Sequence, residues 1–251
     1  MKRLLLILLL VFPNSAFAYV TGVDDIDPHI TQDEQDKFDA AVLSYYKEPT
    51  TAKVNIVLDL MNNTEMLRKK TSWPPLVGFL TVVFGAHKDH VMNWMSRNDY
   101  NTYAEDVIVA ALLHAKLKES ALVFAQAHHW KPEEIEHIRE YEDPVDMKTL
   151  VIVLPGHIDT LWGAFFASGD EIYVEEIINV LFMKELPMSE TVDMPAPTAL
   201  EENKRLAEKT LTYYAPDHPA VREAIERRIK EEDEGVRKLI LRQLLPNQNS
   251  K

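Results

Sequence analysis

The chain of 251 residues contains no cysteine. That excludes disulfides, a lipid anchor of the lipoprotein type and any cysteine nucleophile. Glycine is scarce, with seven residues and no glycine-rich loop. Phosphate cradles need such loops. No Gly-x-Ser-x-Gly turn occurs either, so the nucleophile elbow has no candidate. Positive charge is in deficit: 27 Lys and Arg face 40 Asp and Glu, for a net charge of −13. No Lys/Arg cluster offsets this. An acidic surface repels nucleic acid and anionic lipid head groups. Past the first eighteen residues, no apolar run approaches the roughly 20 residues that span a bilayer.

The start of the chain is read differently. Lys2 and Arg3 precede an unbroken apolar run, Leu4 to Phe12. Pro13, Asn14 and Ser15 break it, and Ala16-Phe17-Ala18 offers small residues where a signal peptidase reads. This is the three-part pattern of a secretory signal peptide over residues 1–18. The expectation is a mature chain from Tyr19, exported to a bacterial periplasm or associated with the outer membrane. Lys2 and Arg3 lie in the leader, so the remaining chain carries 25 cations against 40 acids. In an oxidising compartment without disulfides, a packed core must hold the fold.

What the chain has in quantity is amphipathic helical spacing. Leu161 to Leu181, LWGAFFASGDEIYVEEIINVL, shows it best. Ile158, Leu161, Trp162, Phe165 and Phe166 fall on one helical face. Gly169-Asp170 ends that helix, and glycine suits a helix C-terminus. Val174, Ile177, Ile178 and Leu181 form the face of a second helix. A turn this short makes the two antiparallel. An apolar-x-x-apolar-apolar pattern recurs five times: Val54/Val57/Leu58, Val91/Trp94/Met95, Ala121/Phe124/Ala125, Val174/Ile177/Ile178 and Val221/Ala224/Ile225. A large apolar residue precedes each by seven or eight positions: Tyr46, Phe84, Leu113, Phe166 and Tyr214. The reading is an all-α chain, an array of antiparallel helical hairpins. The spacings between those upstream residues are uneven, 38, 29, 53 and 48 residues. True repeats hold a fixed period, so the array is degenerate.

Local signals mark helix starts. Thr31-Gln32-Asp33-Glu34 is a capping-box pattern. Pro75, Pro132 and Pro219 suit first turns. A final helix carries Val236, Leu239, Ile240 and Leu244 on one face. Residues 19–30 read as a flexible arm, 31–140 as N-terminal hairpins and 141–157 as an extended connector dividing two lobes. Residues 158–245 read as C-terminal hairpins, interrupted by a proline-containing loop at 183–200, and 246–251 as a tail. Thr149 to Gly156, TLVIVLPG, reads as a short strand or an extended connector. Loops as long as 183–200 are often functional, which makes that one a candidate binding element.

A helix beginning with Trp162-Gly163, a Gly169-Asp170 turn and a second helix resembles a tetratricopeptide unit. The register departs from that family, since Gly163 to Gly169 is one residue short and Tyr173 lies beyond the usual place of the aromatic. The resemblance covers about one unit. It implies a right-handed helical stack that binds proteins. The block LWGAFFASGD is also similar to a segment of uncharacterised exported proteins of Gram-negative bacteria. More loosely, the chain is similar to accessory subunits of type IVB (Dot/Icm) secretion core complexes.

Chemistry finds few candidates. His87-Lys88-Asp89-His90 places two imidazoles at i and i+3 with a carboxylate between, a spacing metal sites use. It falls at an inter-helix turn, where polar residues are expected anyway. Glu134-x-x-His137 has the di-iron spacing, but no second pair occurs. Ile135 and Ile138 take the buried side of that helix, leaving Glu134 and His137 to solvent. His128-His129 ends a helix, where imidazole favours the dipole. Ser168-Gly169-Asp170 lacks a preceding strand. His157 and Asp159 are close enough in sequence to orient one another, but Asp159 also suits a helix N-cap. Trp162, Phe165 and Phe166 read as core, and Gly163 as a site of close helix–helix approach. No catalytic, cofactor or metal residue is selected. The expectation is a non-enzymatic scaffold or subunit of a bacterial envelope assembly, binding other envelope proteins. A metal-binding protein or enzyme using His87, Asp89 and His90 is the alternative. A periplasmic chaperone for unfolded chains is a third.

Overall fold

The computed structural model describes residues 30–245, apart from residues 69, 98, 143–145 and 186–195. The leader at 1–18, the arm up to 29, the middle of the 183–200 loop and the tail at 246–251 lie outside the described residues. Among the described residues the chain is all-α, with twelve α-helices and no strand. They are α1 (Gln32–Val42), α2 (Thr51–Asn63), α3 (Trp73–Ala86), α4 (Lys88–Met95), α5 (Thr102–His114) and α6 (Lys118–Ala127). The chain continues through α7 (Pro132–Glu140), α8 (Pro155–Ser168), α9 (Ile172–Val180), α10 (Ala196–Tyr214), α11 (Pro219–Glu231) and α12 (Val236–Gln243). No described helix is long and apolar enough to cross a membrane.

The helix starts follow from capping chemistry. Thr31 and Glu34 form the capping box: Glu34 N donates to Thr31 Oγ1 at 3.3 Å, and Thr31 N to Glu34 Oε2 at 2.7 Å. These bonds satisfy N–H groups that a helix start leaves orphaned. Asn101 caps α5 through Oδ1, which accepts from Tyr103 N and Ala104 N. Its amide nitrogen donates to the Met61 and Asn62 carbonyls at the end of α2. One side chain thus closes the end of one helix and the start of another. Pro132, Pro155 and Pro219 each open a helix.

Helix ends follow different chemistry. Among the described residues, only α8 stops at glycine, with Gly169 at φ 70°. After α5 and α6 the left-handed position is taken by Lys116 (φ 59°) and His129 (φ 56°). In both, the next residue's N–H reaches back five residues, Leu117 N to Leu112 O and Trp130 N to Ala125 O. That is a Schellman turn without glycine.

All fifteen residues of the five apolar triplets are buried, on α2, α4, α6, α9 and α11. Helices adjacent in sequence pack together, α1 on α2, α5 on α6, α6 on α7, α8 on α9 and α11 on α12. The closest association joins distant parts of the chain, α3 and α8. Their backbones touch. A Cβ built on Gly163 would overlap the Pro75 carbonyl and come within 2.8 Å of Phe79 N. A Cβ on Gly78 would overlap the Thr160 carbonyl. Gly163 is therefore a site of close helix–helix approach, and Gly78 is its counterpart. One continuous apolar core runs from Ile30 to Leu244, through residues on both sides of the 141–157 segment.

Several sequence readings are corrected. Of the two readings of residues 149–156, the strand is the one corrected, since none forms there. Met147–Thr149 is a 3-10 turn, an extended stretch follows, and α8 starts at Pro155. Proline in a first turn forfeits no helical bond, so the Pro-Gly pair opens the helix. Residues 196–200, read as loop, begin α10. Tyr46 lies in a 3-10 turn, Tyr45–Lys47. On α12, Leu241 and Leu244 are buried, while Val236 and Leu239 face solvent.

Candidate functional site

The His87/Asp89/His90 cluster sits where α3 meets α4. His87 is the single joint residue, and Asp89 and His90 lie in the first turn of α4. The two imidazole rings are 6.2 Å apart and lean on Trp94, at 6.4 and 5.8 Å. Asp89 is exposed on the surface. Among the described residues, no group of three His, Asp or Glu side chains is placed to share a metal ion.

Glu134 is a correction. It is buried, because its Oε2 accepts from Lys131 N at 3.0 Å and caps its own helix. His137 is exposed, as expected. Ser168 and Asp170 shape the turn between α8 and α9. Ser168 Oγ donates to Ala164 O, and Asp170 Oδ1 accepts from Ile172 N.

His157 and Asp159 do not pair. His157 Nδ1 lies 3.0 Å from Val151 O and 3.1 Å from Val153 N, which pins the extended stretch to α8. Asp159 is not an N-cap. It lies inside α8, fully buried, and its Oδ1 has no partner. Burial alone pushes its carboxyl well above the usual carboxylate range.

His128 has a partner that the sequence did not reveal. Its Nδ1 lies 3.1 Å from Glu105 Oε1, and Trp130 Nε1 donates to Glu105 Oε2 at 2.9 Å. The His128 ring packs on Phe124 at 4.1 Å. A carboxylate holding an imidazole by Nδ1 is the orienting half of a general-base device. Here His128 Nε2 is out of reach of solvent and has no partner. The pair joins the C-terminus of α6 to α5.

The densest arrangement lies between α8, α10 and the turn at Tyr46. Trp162 is fully buried. Its Nε1 donates to Thr210 Oγ1 at 2.9 Å, and Thr210 in turn donates to Leu206 O. The indole packs on Phe165 (5.8 Å), Phe166 (5.8 Å) and Tyr214 (4.6 Å). His218 closes the group. Its Nδ1 meets the Tyr46 hydroxyl at 3.1 Å, and its ring packs on Phe166 at 5.2 Å. Trp162, Phe165 and Phe166 are core, as their phase implied. Thr210 and His218 carried no local signal, because 48 and 56 residues separate them from Trp162.

Two pH effects follow. Burial lowers the pKa of His114, His157 and His218 from 6.5 to about 4, and His157 adds to the shift at His114. A lowered histidine pKa means the fold favours the neutral ring. The associated stability is present above pH 6.5 and is lost as pH falls toward 4. Asp159 works in the opposite sense, since a raised carboxyl pKa penalises the fold as pH rises past the unfolded value. Asp159→Asn is expected to raise Tm at pH 7, with the gain fading toward pH 4. A lower Tm at pH 7 would show that the carboxylate has a charged partner. In that variant, Tm is expected to fall steadily between pH 6.5 and 4.5 as the three histidines titrate. A flat profile would contradict their buried, neutral state.

The pairs Glu105–His128 and Tyr46–His218 join separate parts of the chain, whereas Glu134 caps its own helix and Asp159 Oδ1 has no partner. No family model matches the chain, and no curated protein or solved structure matches it either.

Proposed function

We propose that this chain is an exported, non-enzymatic helical scaffold, a subunit of a bacterial envelope protein assembly. The leader pattern at residues 1–18 supports export. The carrying observation is a set of neighbouring helix pairs, α1 with α2, α5 with α6, α8 with α9 and α11 with α12, with large apolar residues left at the surface. Ile56 on α2, Met92 on α4 and Val123 on α6 are all exposed, each beside a buried triplet. A degenerate hairpin array would use such positions to hold another protein. A type IV secretion outer-membrane core complex is the assembly that the sequence resemblance names.

The test places a photo-crosslinking residue singly at 56, 92 and 123 in the native host, with exposed Glu136 as control. A discrete adduct of one envelope protein at two or more of the three positions is the expected result. Adducts no stronger than those at residue 136 would overturn the proposal.

A further inference from the structure

The last described helix leaves its apolar edge open. Val236 is 73% exposed and Leu239 57%, the two highest values among the exposed large hydrophobic residues. They lie three residues apart, so they share one face of α12. Ile240 beside them is only half-buried. The opposite edge is already used, with Leu241 and Leu244 in the core.

Charge is arranged lengthwise along the segment that ends in α12. Glu231 ends α11, Glu232, Asp233 and Glu234 follow in the turn, and Arg237, Lys238 and Arg242 lie within α12. No acid occurs between residues 235 and 245. Glu232 and Glu234 take the nearby cations: Arg237 at 3.8 Å, Lys238 at 3.1 Å and Arg242 at 3.4 Å. Glu231 and Asp233 are exposed and make no ion pair among the described residues.

We infer that α12 is a self-association surface, occupied by α12 of a second copy lying antiparallel across a two-fold axis. A segment whose acids all precede its cations complements itself only when reversed. In that arrangement Val236 and Leu239 of the two copies cover each other. Arg242 of each copy then meets Glu231 and Asp233 of its partner. An anionic bilayer is the weaker occupant. Three cations against four acids leave the element with no net positive charge to draw it to lipid.

The inference concerns the purified protein alone and does not depend on an envelope partner. Sedimentation equilibrium over a concentration series is expected to show a monomer–dimer equilibrium. Val236→Asp with Leu239→Asp is expected to leave monomer only. Both side chains are exposed, so far-ultraviolet circular dichroism and Tm should be unchanged. Arg242→Glu is expected to weaken association about tenfold, and adding Glu231→Lys and Asp233→Lys to restore most of it. A wild-type protein that stays monomeric throughout would overturn the inference. So would a dimer indifferent to the aspartates, or a failure of the charge exchange to recover association. Sedimentation with vesicles of one-third phosphatidylserine, if abolished by the same aspartates, would assign the edge to a membrane instead.

Discussion

Gly163→Ala is expected to destabilise the protein by about 3 kcal/mol, lowering Tm by roughly 6–12 °C. The added methyl has nowhere to go. It would overlap the Pro75 carbonyl oxygen, which is backbone and cannot rotate aside. Alanine favours a helix over glycine by about 1 kcal/mol, which offsets only part of the cost. Gly78→Ala should behave alike, since it faces the Thr160 carbonyl across the same contact. One separation of α3 from α8 relieves both clashes, so the double variant should cost clearly less than the two single costs added together. Thermal and urea denaturation of the three variants decide the matter. A neutral or stabilising Gly163→Ala would mean that the two helices do not meet backbone to backbone.

The second large effect is expected at Trp162. Truncation to alanine removes a fully buried indole from between Phe165, Phe166 and Tyr214, at a cost of about 4 kcal/mol. Trp162→Phe keeps a ring in place but strands the Thr210 hydroxyl without its donor. That variant should lose about 1–2 kcal/mol, most of it from packing, because Thr210 retains its bond to Leu206 O. Urea midpoints followed by circular dichroism would measure both. Equal losses in the two variants would assign the effect to the hydrogen bond and not to the ring.

Periodicity located the helices well where one face is apolar and the other is not. The triplets on α2, α4, α6, α9 and α11 were all legible for that reason. Periodicity is silent where a helix is buried all round. In α3 and α5 nearly every position is buried, including Glu105 and Asp106, so phase carries no information there. Gly163 stood out beside a tryptophan, whereas Gly78, in an unbroken apolar segment, did not. Helix ends were legible at Gly169, where the left-handed residue is glycine, and at His128-His129, and hidden at Lys116, where no glycine or histidine pair marks the turn. The apolar phase of α12 was visible, but phase cannot say which apolar edge finds a neighbour within the same chain.

The polar groups show the same division. Glu134 was read as solvated because Ile135 and Ile138 were given the buried side of its helix, yet its carboxylate turns back to cap its own helix. Asp159 also suited a helix N-cap, but α8 starts at Pro155 and carries it inside. Glu105 with His128, and Tyr46 with His218, join residues 23 and 172 positions apart. No local pattern encodes such pairs, because they exist only once the helices have packed.

The most direct measurement is co-purification of the tagged protein from cross-linked, gently solubilised envelopes of its own host, with partners identified by mass. A large assembly of fixed stoichiometry is the expected result. Recovery of the protein free of any other envelope protein would contradict the scaffold function.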